Sequence, residues 1–297
     1  MTRVDIALCT FRRPAVRETL ASLAAQDLPA DVSIRVIVAD NDDSDSARAT
    51  VEDAAASLSV PVQYVHAPAR NISIARNACL DAANADWVAF LDDDERAEPD
   101  WLARLLACAT QTGADAVFGP ALAEYGPEAP GWMRQQDHHS NHPARRGDEV
   151  ETGHTCNALL RWRGAPWQDQ RFDLARGRSG GEDTELFFRL HHAGARFEIC
   201  EEAIVREAVA PDRLELSWLL RRKYRAGQSF AARAGGIPTR TALMASAAAK
   251  ALFCAAMMLA TCWSPDRCRF WYLRGAMHLG VISGCLSLAQ PEIYGRG

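Results

Sequence analysis

Four consecutive acidic residues, Asp92-Asp93-Asp94-Glu95, directly follow the apolar run Trp87-Val-Ala-Phe-Leu. Carboxylates repel one another and are costly to remove from water, so a fold gathers them only where a cation or another partner compensates their charge. In an extended chain alternate side chains face the same way, so Asp92 and Asp94 share one target while Asp93 faces elsewhere. The spacing therefore predicts a site for a divalent metal held against phosphate oxygens.

A second acidic group, Gly180-Gly181-Glu182-Asp183, lies immediately before a run with helical apolar periodicity. Two interpretations are open at this point. An acid in the first turn of a helix is favoured by the helix dipole whatever the function of the protein. Alternatively, one of the two carboxylates is a general base that the flexible Gly pair presents near the metal site.

Polar residues also follow four successive predicted strands. In an open parallel sheet, ligands bind beyond the carboxyl ends of the strands. The four groups are therefore expected to converge along one edge: Thr10 with Arg12 and Arg13, Asp40 with Asn41, Arg70 with Asn71, and the acidic run. For Asp40 and Asn41, turn and helix-cap chemistry is the alternative. A calcium loop starting at Asp40 is excluded, because its sixth position is Asp45 instead of Gly and its twelfth is Val51 instead of a carboxylate.

The elements that must position these residues alternate between strand and helix in the first half of the chain. This alternation predicts an α/β fold with a mostly parallel sheet covered by helices. The predicted strands cover residues 4–9, 32–39, 60–66, 87–91 and 116–119, and helices follow Pro14 and cover residues 73–83 and 99–109. Residues 125–150, rich in Pro, Gly, His and charge, predict a loop over a site. A helix at 182–192 and a strand at 197–205 come next.

The composition is that of an ordinary globular protein, with 48 % apolar and 24 % charged residues. The net charge of -5 argues against nucleic acid as a partner. The nine cysteines are scattered and form no C-x-x-C pair, which predicts neither a zinc site nor a disulfide framework and favours a cytoplasmic setting. The N-terminus enters a strand directly, without a charged-then-apolar leader, so no signal peptide is expected.

Taken together, five ordered motifs resemble those of family 2 glycosyltransferases with the GT-A fold, and within that family the bacterial exopolysaccharide enzymes of the succinoglycan-biosynthesis type. The motifs are Thr10-Phe-Arg-Arg, Val-Ala-Asp40-Asn41 with Ser44, Asn71 with Ala75-Arg76-Asn77, Phe-Leu-Asp92-Asp93-Asp94, and Gly181-Glu182-Asp183. The match covers residues 3 to 230. It implies the Rossmann-like fold of nucleotide-diphospho-sugar transferases, followed by a C-terminal helical extension.

The resemblance implies that a sugar moves from a nucleotide-sugar, usually a UDP-sugar, with inversion at the anomeric carbon. On the donor side it implies that Thr10 and Arg12 line the nucleotide pocket and that Asp40 and Asn41 contact the base. Arg76 is implied to approach the nucleotide. In the acidic run, Asp92 is implied to face the ribose or sugar with Asp93 beside it, and Asp94 to hold Mg²⁺ or Mn²⁺. On the acceptor side, Asp183 is the implied base and Glu182 helps to position a saccharide or lipid-linked saccharide.

Two parts of the pattern leave alternatives open. Many relatives have a His after the late strand, where this chain has Arg206. The diphosphate is therefore expected to contact either Arg206 or one of four later arginines: Arg213, Arg221, Arg222 and Arg225. For these four, a solvated helix face is the alternative interpretation. Trp162 and Trp167 either stack on acceptor sugars or pack in the core.

The C-terminal region, residues 214–297, is predicted to be helical and apolar, after a catalytic domain at 1–213 whose nucleotide-sugar half ends near 120. Its uncharged runs at 251–263 and 275–289 are shorter than the ~20 residues of a spanning helix. Together with the cluster Arg221-Arg222-Lys223-Tyr224-Arg225, they predict peripheral contact with the cytoplasmic face of the inner membrane. Packing against the catalytic domain or a second copy is the alternative.

Two other functions compete with glycosyl transfer. A nucleotidyltransferase of the sugar-nucleotide pyrophosphorylase type requires a Gly-rich phosphate loop after the first strand, where this chain has Cys9-Thr-Phe-Arg-Arg-Pro. A non-catalytic nucleotide-sugar-binding protein would not need Asp183 for its function.

Overall fold

The computed structural model describes residues 1–231 and 236–286. Contacts between Cα atoms divide these residues into two compact units. The first unit contains Met1–Glu124 and Ser140–Ala208, and the second contains Tyr125–His139 and residues 209–286. The predicted functional division at residues 120 and 213 stays a prediction.

All ten strands of the described chain belong to the first unit: β1 (Thr2–Thr10), β2 (Val32–Asp40), β3 (Val62–His66), β4 (Trp87–Asp92), β5 (Glu95–Ala97), β6 (Ala116–Phe118), β7 (Ala121–Glu124), β8 (Asn157–Arg161), β9 (Phe197–Ile199) and β10 (Val205–Ala208). Across both units the α-helices are α1 (Val16–Ala24), α2 (Arg48–Ala55), α3 (Ile72–Ala82), α4 (Trp101–Thr112), α5 (Gly131–Gln136), α6 (Glu182–His192), α7 (Leu216–Ala231), α8 (Gly236–Ala260) and α9 (Pro265–Cys285).

The first unit is built on a seven-stranded sheet of order β3-β2-β1-β4-β8-β6-β9. Strands β3, β2, β1 and β4 run parallel, with Thr10 beside Asp40 and Cys9 beside Asp92 in the register. Their carboxyl ends therefore lie along one edge, which confirms the predicted convergence of the polar strand ends. The mixed α/β architecture with a mostly parallel sheet is the predicted fold.

Two features of the sheet differ from the prediction. Strand β8, which the sequence did not indicate, lies antiparallel between β4 and β6. The single strand predicted at 197–205 is wrong: β9 pairs with β6 in the large sheet, whereas β10 joins a three-stranded sheet of order β5-β10-β7. The chain turns between the two strands, and an apolar run cannot show by itself that it changes sheets.

Each face of the large sheet covers an apolar core. Leu8 and Val38 belong to one cluster, and Ala7 and Ile37 belong to the other, as period-two alternation requires. Trp162 and Trp167 lie in the second cluster at 2 % and 4 % exposure. The interpretation of these two tryptophans as sugar-stacking residues is therefore wrong, and the core-packing alternative is confirmed.

The second unit is helical, and its helices α7 and α9 cross at a very short distance. A Cβ placed at Gly227 would lie 2.0 Å from Met277 O, and one placed at Gly280 would lie 1.9 Å from Tyr224 O. Only glycine fits at such a crossing, which is common between helices in membranes. A buried hydrogen bond from Gln228 Nε2 to Ser283 Oγ, 3.1 Å long, also joins the two helices.

Helix α8 includes Lys250, the residue directly before the uncharged run 251–263. Within it, Pro238–Ala260 is 23 residues long and contains an 18-residue stretch whose mean hydropathy is 1.8 and of which 11 % is buried. By length and composition, this segment is able to cross a membrane. The expectation that the apolar segments are too short to span a membrane is therefore corrected for α8, because Lys250 interrupts the uncharged run but not the helix.

Candidate active site

The acidic run forms a tight turn between β4 and β5, with Asp93 pointing into the protein. Asp93 is 4 % exposed; its Oδ2 accepts a 2.7 Å hydrogen bond from Thr10 Oγ1, and its Oδ1 lies 3.0 Å from Arg13. Thr19 Oγ1 donates to the carbonyl of Asp93 at 3.0 Å. Burial raises the pKa of Asp93 to about 7, although Arg13 opposes the shift. Asp93 thus ties the turn to β1 and α1.

Asp92 and Asp94 are more accessible, with side chains 43 % and 21 % exposed. Asp94 forms an ion pair with Arg13, and the backbone N–H of Asp92 donates to Glu95 at 2.9 Å. Desolvation by surrounding protein raises the pKa of Asp92; Asp94 and Asp183 add to the increase, and Arg76 counteracts it. A cation beside Asp92 would favour its charged form and so oppose this increase in pKa.

Arg76 links the two acidic groups, which are far apart in sequence. This residue on α3 is 6 % exposed; it donates to Glu182 Oε1, and its NH2 lies 3.6 Å from Asp92 Oδ1. Helix α3 begins at Asn71, whose Oδ1 accepts from Ser73 N at 3.1 Å and so caps the helix. The guanidinium lies over the ring of Phe172, 5.6 Å from its centroid. A capped, buried helix thus holds Arg76 between the carboxylates.

The second acidic group starts helix α6 after two glycines with left-handed backbone, Gly180 (φ 88°) and Gly181 (φ 84°). Asp183 Oδ2 lies 3.0 Å from His154 Nδ1, and Asp183 Oδ1 accepts a 2.6 Å hydrogen bond from Thr184 N. Burial raises the pKa of Asp183, but the charge and hydrogen bond of His154 outweigh it, so the pKa falls below its usual range. At neutral pH Asp183 is an ionised carboxylate.

Two buried oxygens beside this pair have no protein partner among the described residues. They are Glu182 Oε2 and Thr155 Oγ1, and both residues are only 2 % exposed. Burial also raises the pKa of Glu182, against the effect of Arg76. A buried polar atom without a partner is costly unless water or a ligand satisfies it. This part of the site is therefore suited to a polar ligand.

On the nucleotide side, Asp40 is completely buried and shapes the loop after β2. Its Oδ2 accepts from Ala47 N and Tyr64 OH, both at 2.9 Å, and its Oδ1 accepts from Asp42 N at 3.0 Å. Asn41, 4 % exposed, accepts from Asn71 N at 3.1 Å. These contacts are the turn chemistry that the sequence left open. Direct contact of Asp40 or Asn41 with a base stays a prediction.

Arg12 is the exposed member of the predicted nucleotide pocket, whereas Thr10 is 2 % exposed and its hydroxyl donates a hydrogen bond to Asp93. Arg12 has a left-handed backbone (φ 55°) and lies 2.9 Å from Asp42 Oδ1. This ion pair comes first among the effects that hold the pKa of Asp42 well below its usual range. Arg12 therefore joins the loop after β1 to the loop after β2.

The arginine that replaces the expected late His pairs with carboxylates outside the two acidic groups. Arg206 Nε donates to Glu98, and Glu124 lies 4.0 Å away. Nothing in these contacts supports a diphosphate role for Arg206. Of the alternative arginines, which all lie in the second unit, Arg213 and Arg222 lie over the ring of Trp218 at 5.7 and 5.2 Å.

Sequence reasoning assigned no role to Arg13 or His154. Arg13 pairs with both Asp93 and Asp94, and His154 pairs with Asp183. The signal for Arg13 was its place in Thr10-Phe-Arg-Arg, directly after a strand that ends at the site. For His154 the signal was its segment, Thr152-Gly-His-Thr-Cys-Asn-Ala-Leu, which resembles the acceptor-side segment of the family that the motifs resemble but gives no role to any one residue.

The carboxylates fit a divalent metal that is shared with a ligand. In residues 1–231 and 236–286, no three His, Cys, Asp or Glu side chains are grouped to hold a metal by themselves. Mg²⁺ usually takes one or two protein carboxylates and completes its shell with water and substrate phosphates. Asp94 and Asp92 offer such hard oxygen donors, and a cation beside Asp92 would favour the charged form of that carboxyl, whose pKa is raised without it.

The fold and site define a GT-A glycosyltransferase. They combine a mostly parallel sheet, an acidic turn at the end of β4 and a second carboxylate at the start of α6. Two family profiles match the chain: Glycosyl transferase family 2 over residues 5–163 and Glycosyl transferase family group 2 over residues 87–285. The chain is 48 % identical over 296 residues to the succinoglycan biosynthesis protein ExoM of Rhizobium meliloti (strain 1021), covering 98 % of this chain and 96 % of that protein.

One more distant relative and two solved structures are also similar to this chain. A glucosyl-dolichyl phosphate glucuronosyltransferase of Haloferax volcanii is 25 % identical over 243 residues, 76 % of either chain. The mannosyltransferase PcManGT of Pyrobaculum calidifontis, solved with GDP-Man and Mn²⁺, has a TM-score of 0.61 at 20 % identity, covering 93 % of this chain and 86 % of that one. S. aureus TarS 1–349 with UDP has a TM-score of 0.52 at 17 % identity, covering 95 % and 91 %. These two structures share the fold.

The chain belongs to glycosyltransferase family 2. The resemblance seen in its motifs is thereby confirmed, and so is the prediction of a glycosyltransferase. The competing nucleotidyltransferase and non-catalytic binding functions are set aside.

Proposed function

We propose that this enzyme is an inverting, metal-dependent glycosyltransferase that uses a nucleotide-sugar, most simply a UDP-sugar, in the synthesis of a succinoglycan-type exopolysaccharide. One observation carries the proposal: Arg76 holds the acidic turn at Asp92 and the acidic start of α6 at Glu182 in one site. A displacement reaction needs two stations, one for the leaving group and one for the attacking hydroxyl. The pathway is supported by the 48 % identity to ExoM.

The reacting hydroxyl belongs to the station at Asp183. A sugar hydroxyl is a poor nucleophile at neutral pH, so a carboxylate must accept its proton as the attack proceeds. The oxygen forms a bond to the anomeric carbon, and the bond from that carbon to the diphosphate breaks with its electron pair on the leaving nucleotide. Inversion follows, because base and leaving group lie on opposite sides of the carbon.

The leaving diphosphate belongs to the station at the acidic turn. Asp94, with Asp92 beside it, would hold Mg²⁺ or Mn²⁺, which neutralises negative charge that grows on the diphosphate. Arg12 is the accessible cation of the nucleotide side, and Thr10 and Asp93 fix the turn from behind. Glu182 orients Arg76 and offers its second oxygen, Oε2, to the acceptor.

The test is a donor panel. Purified enzyme with Mn²⁺ is mixed with UDP-glucose, UDP-galactose, UDP-glucuronic acid or GDP-mannose and with lipid-linked saccharides extracted from bacterial membranes, and nucleotide release is measured. We expect release from at least one UDP-sugar and an inverted anomer in the product. No release from any donor, together with no metal-dependent UDP binding, contradicts the proposal.

We propose further that the enzyme works at the cytoplasmic face of the inner membrane, where a lipid-linked saccharide acceptor is embedded. The support is the apolar helix α8 and the large exposed side chains on and after it: Leu252 at 73 %, Phe253 at 57 %, Leu259 at 71 % and Trp263 at 74 %. An amphipathic or apolar helix beside a basic cluster binds anionic membranes. The cluster at residues 221–225 precedes α8 in the chain.

Cell fractionation tests this location. We expect the full chain in the membrane pellet at low salt. Retention after an alkaline carbonate wash indicates that α8 enters the lipid, whereas release by high salt indicates a peripheral, electrostatic contact. An enzyme found wholly in the supernatant at low salt contradicts membrane attachment.

A further inference from the structure

The imidazole of His154 contacts the carboxylate to which we assign the proton transfer. His154 Nδ1 lies 3.0 Å from Asp183 Oδ2. The other oxygen, Asp183 Oδ1, accepts from Thr184 N at 2.6 Å, so both oxygens have a protein donor and the plane of the carboxylate is set. The side chain of His154 is 44 % exposed and that of Asp183 is 17 % exposed. Solvent protons therefore reach the imidazole more readily than the carboxylate.

The loop that carries His154 is held on both sides of it. Thr152 Oγ1 donates to Thr184 O on α6 at 2.9 Å. Gly153 lies against Phe118, where a Cβ would be 2.1 Å from Cε1 of the ring. The loop leads directly into β8, which lies in the centre of the sheet. The 3.0 Å contact thus joins two rigid parts of the first unit.

Resting on the glycosyl transfer proposed above, we propose that His154 is a positioning residue that aims the Asp183 carboxylate and, through its own protonation, sets how readily that carboxylate accepts the acceptor's proton.

The charges around the pair determine the direction of the effect. Protonated His154 and Arg76 stabilise the anionic form of Asp183, whereas Glu182 and Asp92 are like charges. An anion stabilised in this way is a weak base. A neutral imidazole with its hydrogen on Nδ1 keeps the hydrogen bond and removes the charge, so Asp183 becomes a stronger base. Because imidazoles titrate near neutral pH, turnover is expected to rise as His154 loses its proton.

Three variants separate the positioning of the Asp183 carboxylate from the charge of the imidazole. His154→Ala removes the hydrogen bond and the charge. His154→Asn keeps an N–H donor near the position of Nδ1 but never ionises. His192→Asn is the matched control, because His192 is an exposed residue at the end of α6 whose ring contacts only Phe188 O and neighbouring rings. Each is assayed with the donor that gives the largest nucleotide release in the panel, from pH 5.5 to 8.5, with UDP binding measured alongside.

We expect His154→Ala to lower kcat by about 10- to 100-fold, a part of the 10²–10⁴ that a positioned base supplies. KM for the donor and UDP binding should stay within about twofold, because the donor station is untouched. His154→Asn should recover most of kcat at pH 8 and lose the rise that the wild type shows across the assayed range of pH. His192→Asn should behave as the wild type.

The inference is overturned if His154→Ala keeps wild-type kcat and the wild-type pH profile, or if His154→Asn is as inactive as His154→Ala. It is also overturned if His154→Asn keeps the wild-type rise with pH. Asp183→Asn distinguishes this failure from that of the proposed function: an inactive Asp183→Asn beside a fully active His154→Ala leaves the glycosyl transfer standing. A wild-type enzyme with no turnover on any donor removes both.

Discussion

The acidic turn at residues 92–94 and the acidic start of α6 at residues 182–183 share Arg76, but each has a second cation of a different kind. Arginines face the turn: Arg13 pairs with Asp94, and Arg76 lies near Asp92. A histidine faces Asp183. Arginine stays charged at all ordinary pH values, whereas histidine changes its charge near neutral pH.

The pKa directions of Asp92 and Asp183 also differ. Desolvation and neighbouring acids raise the pKa of Asp92, whereas His154 and Arg76 lower that of Asp183 against the effect of burial. At the turn, a cation that binds Asp92 and Asp94 would also attract a diphosphate. The start of α6 holds one ionised carboxylate with an adjustable partner, which suits proton transfer. We infer from the comparison that the second cation, an arginine at the turn and a histidine at Asp183, suits the two acidic groups to the different roles proposed for them.

The largest effect is expected at Asp183. Asp183→Asn should lower kcat by about 10²–10⁴-fold, the contribution typical of a positioned base, because the amide cannot accept the proton. Steady-state nucleotide release measures the loss. Glu185→Gln is the matched control, because Glu185 lies on the same helix and pairs with Arg189; it should retain turnover. Comparable activity of Asp183→Asn and the wild type would place the base elsewhere.

A smaller loss is expected at the acidic turn. Asp94→Asn should lower turnover by about 10²-fold, in the range seen when one electrostatic contact to a transition state is removed. The concentration of Mn²⁺ needed for half-maximal UDP binding should also rise, and a calorimetric titration measures it. Asp100→Asn, at a surface pair with Arg104, is the control. An unchanged Mn²⁺ requirement would refute the assignment of Asp94 to the metal.

The link between the two acidic groups should be sensitive to geometry as well as charge. Arg76→Lys keeps the charge but cannot span Glu182 and Asp92 with a planar fork. We expect turnover to fall by about 10-fold and the melting temperature to drop, since loss of one partner of a buried pair costs about 3–5 kcal/mol at most. Activity and thermal unfolding are measured together. Full activity with full stability would mean that the two stations do not depend on Arg76.

The smallest effect concerns stability and its pH dependence at Asp93. Its pKa in the folded protein, about 7, is above the ordinary value of 3.8, so the folded state favours the protonated form. The associated stability is fully present below about pH 4 and is lost as the pH rises through about 7, at roughly 1.4 kcal/mol for each pKa unit. Asp93→Asn, which cannot ionise, should show a shallower decline.

Urea unfolding at pH 5, 6, 7 and 8 without metal measures this slope. The lost partner of Arg13 shifts the Asp93→Asn curve at every pH but leaves its slope for comparison. Glu95 and Glu182 also have raised pKa values, so part of the decline should persist in the variant. Equal slopes in the variant and the wild type would show that Asp93 does not titrate in this range.

Much of the first unit could be predicted from the sequence, because its signals are local. Apolar runs that end in polar residues gave β1 to β4 and the edge at which Asp92 lies. The parts that could not be predicted depend on distant residues. Strand β8 inserts antiparallel between β4 and β6, and the apolar run at 197–205 divides between two sheets.

The candidate site, like the fold, could be predicted from the sequence only in part. Its acidic residues stand out in the sequence, and the motifs also mark Arg76, but the sequence does not show which of these residues pair with one another. Arg76 contacts Glu182, and His154 contacts Asp183, across separations that no spacing rule reports. The alternation argument for Asp92 and Asp94 also assumed an extended chain, whereas residues 93 and 94 form a turn.

The most direct test of the division between the two acidic groups is to measure Mn²⁺-dependent UDP binding and nucleotide release together in Asp183→Asn and Asp94→Asn. We predict that Asp183→Asn binds UDP as the wild type does and has lost release, and that Asp94→Asn has lost both Mn²⁺-dependent binding and release. The same pattern of loss in both variants, or release retained by Asp183→Asn, would contradict the account.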